Sequence, residues 1–140
     1  MEPTLLQSLD LTPLWVMRLL FGLIVAILFI QSGLDKIFNY QGEQSFYKSH
    51  FKDSILHGMV PLLMPVITLF EVAAGFLTGI GLVLYLVNGS TNLAVIGLFL
   101  ACLAIIQLFF GQRVAKDYAG AGALVPYFLL CAAGLYIFMV

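Results

Sequence analysis

Glu71 is the first residue in the chain that asks for a chemical explanation. It lies in ITLFEVAAGFLTGIG, residues 67–81, and no other charged residue occurs between Asp53 and Arg113. An ionisable side chain inside a long apolar run is costly and marks a functional or structural polar contact by default. Two states are open to it. It is ionised and paired with a cation, or it is neutral and hydrogen-bonded to a hydroxyl or amide. The candidate cation on the preceding apolar run is Arg18, which shares a helical stripe with Gly22, Val25, Phe29 and Lys36 at 100° per residue. A second polar group gathers Gln31, Asp35 and Lys36 from the same run with Gln107 from a later one. Asp117 and Tyr118 approach the same surface from the last loop, and Arg18, Gln31, Asp35, Lys36 and Gln107 are the candidates to form an intramembrane polar pair or pocket with Glu71. Gly75 and Gly79 follow Glu71 at intervals of four, forming a small-residue face that lets another helix come close, and Gly22 is a third packing candidate.

Other chemistry lacks its residues. His50 and His57 are two helical turns apart, too far for one metal ion, and read as interfacial. Cys102 and Cys131 stand singly in apolar runs, which suits small buried hydrophobes better than thiol redox or zinc chemistry. No nucleophile triad, phosphate loop or haem-spaced histidine pair is present, so standalone catalysis lacks support, and neither a metal nor a cofactor is expected.

The elements that must position these groups follow from composition. Of 140 residues, 62% are hydrophobic and only 9% charged, with a mean hydropathy of +1.08. Soluble domains carry about 25% charged residues, and so short a chain cannot hide this much apolar surface within itself. The surrounding solvent must be lipid. A net charge of −1 argues against nucleic acid as a partner. A spanning helix needs about 20 apolar residues, and four segments qualify, at about 13–34, 61–87, 91–110 and 121–140. Thr12 and Pro13 suit the start of the first, and Asn88-Gly89 the end of the second. The fourth is expected to begin near Gly122 and to start or bend at Pro126. The N-terminal MEPTLLQSLD has no basic stretch and no cleavage site, so the first helix reads as retained.

Between the first two spans lies the longest polar stretch. Phe46, Phe51, Ile55 and Met59 recur there at helical spacing, predicting an amphipathic surface helix over about 45–58. The predicted fold is therefore an all-α integral membrane protein, an antiparallel four-helix bundle forming a single domain over residues 1–140. Lys36, Lys48 and Lys52 in the first loop, with Arg113 and Lys116 in the third, put those loops in the cytoplasm and the termini outside.

RLLFGLIVAILFIQSGLDKIFNY and LFEVAAGFLTGIGLVL together resemble the opening helices of the DoxX family of small four-span membrane proteins. The features carrying the resemblance are Arg18, Gly33 with Lys36 and Phe38, and Glu71 with Gly75. GQRVAKDYAGAGALVPYF is similar in style to members from Bacteroidetes-like bacteria. The resemblance implies a bacterial inner membrane, so that the outer side to which the basic loops assign the termini is the periplasm, and an association with quinone-linked oxidoreductases.

Two functions are expected. One is a non-catalytic subunit or assembly factor of a larger envelope or respiratory complex, with other membrane subunits or a homo-oligomer as partner. The alternative is a binder of a small amphipathic molecule, a quinone or lipid, in a pocket around Glu71. A proton-linked transporter would need a second mid-membrane titratable group or a broken helix.

Overall fold

The structure, a computed structural model, describes residues 11–140; MEPTLLQSLD, on which the reading of a retained first helix rests, lies outside them. The described residues form five helices and no strand: α1 (Pro13–Phe38), α2 (Tyr40–His50), α3 (Val60–Asn88), α4 (Asn92–Val114) and α5 (Tyr118–Met139). α1, α3, α4 and α5 are each long and apolar enough to cross a membrane. They pack on one another as a four-helix bundle. α3 lies between α1 and α4, α5 packs on α4, and a lighter contact of α5 with α1 closes the ring.

Local chemistry explains the ends. The Thr12 side chain accepts a hydrogen bond from the Trp15 amide at 3.1 Å, and Pro13 takes the first helical position, where its missing N–H costs nothing. α3 stops at Gly89, whose φ of 77° is the left-handed conformation that lacks strain only for glycine. α5 begins four residues before the expected Gly122, because Asp117 accepts a hydrogen bond from the Gly120 amide at 2.9 Å and caps the helix there. Pro126 falls within that helix and does not begin it.

Glycine sets the spacing of the spans. A Cβ on Gly75 would lie 2.5 Å from the Ile30 amide nitrogen, and one on Gly33 would lie 3.1 Å from the Val72 Cα, so α1 and α3 touch backbone to backbone. The contacts pair residue 22 with 82, 26 with 79, 30 with 75 and 33 with 72. Each pair of numbers adds to 104 or 105, the mark of antiparallel neighbours in one fixed register. Gly81 against Ala94 and Gly97 against Thr78 join α3 to α4 in the same way. Of the expected packing glycines, Gly75 makes the close approach and Gly22 sits against the Leu82 side chain. Gly79 has only ordinary contacts, at 3.6 and 3.7 Å from side-chain carbons of Ile30 and Ala26.

The surface helix differs from expectation. It occupies Tyr40–His50, starting one residue after α1, and residues 51–58 turn instead of continuing it. Ser54 drives that turn, donating to the Phe51 carbonyl while accepting from the Leu56 amide. The turn breaks the helical phase. Phe51 and Leu56 are buried, whereas Phe46, Ile55 and Met59 of the expected apolar stripe are exposed.

Candidate functional site

Glu71 points into the bundle and is only 2% exposed, and its partner is Lys36. Lys36 Nζ lies 2.9 Å from Glu71 Oε2, with both side chains buried. Oε2 has no well-aligned hydrogen bond, so attraction between the two charges, more than alignment, holds the contact. The expected pairing of Glu71 with Arg18 is therefore corrected, and register is the reason. With paired numbers adding to 105, Arg18 stands opposite Val87. That level is sixteen residues from Glu71, or about 24 Å at 1.5 Å per residue, beyond the reach of a guanidinium.

Arg18 serves the other end of the bundle. Its Nε donates to the Ile137 carbonyl at 3.0 Å and an Nη to the Val140 carbonyl at 2.8 Å. The other Nη donates to the Tyr85 hydroxyl at 3.3 Å, with the guanidinium 5.3 Å from that ring's centre. A cation here satisfies carbonyls that α5 cannot bond internally and complements the negative end of its dipole. Replacing Arg18 with Met should loosen the last turn of α5 at a cost of about 1.5–3 kcal/mol, the worth of charged hydrogen bonds. Amide exchange should accelerate at residues 137–140 and stay unchanged around Lys36 and Glu71.

The remaining polar candidates disperse. Gln31 and Asp35 are exposed on the outer face of α1, where with Ile27, Ile30, Leu34 and Phe38 they border a shallow groove. They do not join Glu71. Gln107 is half-buried and lines a different space. Asp117 caps α5 and lies 3.7 Å from His50, whose Nε2 is 2.6 Å from Gln112 Oε1. His50 thereby ties the end of α2 to the α4–α5 corner, a role its spacing to His57 did not reveal.

Sequence reasoning also missed Tyr47. Its phenol is near enough to Lys36 to feel the ammonium, and Glu43 contributes charge from the same helix. Burial pushes the Tyr47 phenol above its usual range, with Lys36 pulling the other way, so it stays a neutral donor at physiological pH. Tyr47 also lines a cavity of about 300 Å³ with Phe51 and Leu56 before α3, Leu63, Met64 and Ile67 of α3, Gln107 and Gln112 of α4, and Leu124 of α5. Among the described residues no group of His, Cys, Asp and Glu could hold a metal ion. No family model, curated protein or solved structure matches this chain, so the DoxX resemblance rests on the motifs alone.

Proposed function

We propose that this chain is a non-catalytic integral membrane subunit or assembly factor of a larger envelope or respiratory, quinone-linked complex. The observation that supports this reading is the outer face of α1. Leu20, Ile24, Ile27, Gln31, Asp35 and Phe38 form one exposed stripe, apolar but for an amide and a carboxylate. By register Gln31 stands opposite Ala74, midway along α3. A polar side chain at that depth has no water to bond and is expensive against acyl chains, whereas another protein's helix can satisfy it. We place the chain in a bacterial inner membrane of DoxX-like type, with Lys48, Lys52, Arg113 and Lys116 on the cytoplasmic side and the termini periplasmic.

A photo-crosslinking residue at position 27, compared with one at 129 on the outer face of α5, tests the proposal. The expected result is a single protein adduct from position 27 that weakens in Gln31→Leu, with lipid adducts alone from position 129. Lipid adducts alone from both positions would contradict it. A second reading, binding of a small amphipathic molecule, was expected in a pocket around Glu71; Glu71 lines neither the groove on α1 nor the cavity beside Tyr47, and it is that cavity which supports the reading.

A further inference from the structure

The cavity exists because one span is short. By the register of the α1–α3 contacts, Phe38 at the end of α1 stands opposite Ile67, yet α3 continues seven residues further, to Val60. At 1.5 Å per residue this leaves a notch about 10 Å deep at the loop end of the bundle. α2 and the following turn roof it. They are fastened at one edge by His50 on Gln112 and plugged by Phe51, whose ring lies 3.3 Å from where a Cβ on Gly111 would sit. The plug is incomplete, and about 300 Å³ stays open beneath it. That volume lies at the lower end of small-molecule pockets, which run from about 300 to 1,000 Å³.

The lining defines what fits. Leu63, Met64, Ile67 and Leu124 supply apolar walls, while Phe51, Tyr47 and Phe110 present aromatic rings. Aromatic faces and the Met64 thioether favour a flat ring over a flexible chain. The nearest charges, Lys36 and Glu71, neutralise each other, and neither lines the cavity. The cavity therefore has no counter-ion to offer a charged guest. What it does offer is a neutral phenol and two amides, Gln107 as donor and acceptor and Gln112, whose oxygen His50 already engages, as a further donor.

We infer that the notch beneath α2 is a binding site for a neutral, flat-ringed, lipid-soluble molecule carrying a hydrogen-bonding oxygen on its ring. Tyr47 and Gln107 hold the ring oxygen, and the walls from α3 and α4, with Leu124 of α5, enclose the ring. This deepens the second reading above and is independent of what covers the outer face of α1.

Saturable binding measured calorimetrically on the full chain in nanodiscs tests it, with 1,4-naphthoquinone and 1-naphthol as carbonyl- and hydroxyl-bearing rings and 1-decanol as a flexible chain. The expected result is saturable binding of at least one ring probe, weakened tenfold or more by Leu63→Trp, which fills the cavity. Gln107→Leu should weaken it about threefold to tenfold and leaves the walls standing should the larger side chain prevent folding. Leu129→Trp on the lipid face should leave it unchanged. Ring binding indifferent to both Leu63→Trp and Gln107→Leu would overturn the site. Saturable decanol binding without ring binding would overturn the ligand class while leaving an amphipathic pocket, and no saturable binding by any probe would overturn both.

Discussion

Lys36→Met alone is expected to destabilise the bundle more than Lys36→Met combined with Glu71→Leu. Removing the lysine strands a carboxylate that is 2% exposed and in contact with no other cation among the described residues. Breaking a buried pair in this way costs about 3–5 kcal/mol. Removing both partners strands nothing and leaves apolar groups where the charges stood, which is close to neutral or even stabilising. Glu71→Leu alone should behave like Lys36→Met, because it leaves a buried ammonium. Reversible unfolding in mixed micelles, read by circular dichroism, measures all three variants. The same cycle run with Arg18→Met and Glu71→Leu should be additive, since the two sites lie far apart and share no partner. Coupling between Arg18 and Glu71 of the size expected for Lys36 would show that the register is wrong.

The second large effect is expected at Gly75. A Cβ there meets the Ile30 nitrogen at 2.5 Å and the Phe29 carbonyl carbon at 2.8 Å, and neither atom can rotate away. α1 and α3 would have to separate along their length, loosening the Gly33–Val72 contact and the Lys36–Glu71 pair together. Gly75→Ala should cost about 1–3 kcal/mol, the usual penalty for overpacking, and Gly75→Leu should leave little folded protein. Gly79 is the control. Its nearest neighbours are side-chain carbons at ordinary contact distance, and alanine gains about 0.5–1 kcal/mol over glycine inside a helix. Gly79→Ala should therefore be neutral or mildly stabilising. Equal losses at the two positions would remove the distinction between close contact and open face.

The contrast between these glycines marks what a linear sequence reveals here. Hydropathy alone located four spans, and Thr12-Pro13 and Asn88-Gly89 marked the ends of two helices, because capping is local chemistry. Helical periodicity also turned Glu71 inward correctly. It could not choose Glu71's partner. Arg18 and Lys36 are eighteen residues apart, five full turns, so they occupy the same position around the α1 wheel and differ only in depth. Depth depends on register, which is set by where α3 starts and by which glycine meets which backbone. The wheel did carry one unused signal. Gln31 and Asp35 lie 140° and 100° from the Lys36 stripe, and the structure turns both outward. Tyr47 and the cavity had no local signature, because they arise from α1 ending one and a half to two turns short of α3 and from a turn at Ser54 that rephases the roof.

The Lys36–Glu71 contact fixes register, notch and inward face at once, and it is open to direct measurement. Protein labelled with ¹⁵N at lysine Nζ and ¹³C at glutamate Cδ, reconstituted in bilayers, reports the pair by rotational-echo double-resonance NMR. The expected result is strong dephasing, because Nζ lies 2.9 Å from Oε2, the oxygen bonded to the labelled Cδ, lost in Lys36→Met and in Glu71→Gln but retained in Arg18→Met. No dephasing in the wild-type chain, or strong dephasing from arginine guanidinium nitrogen to Glu71 in its place, would contradict the pairing.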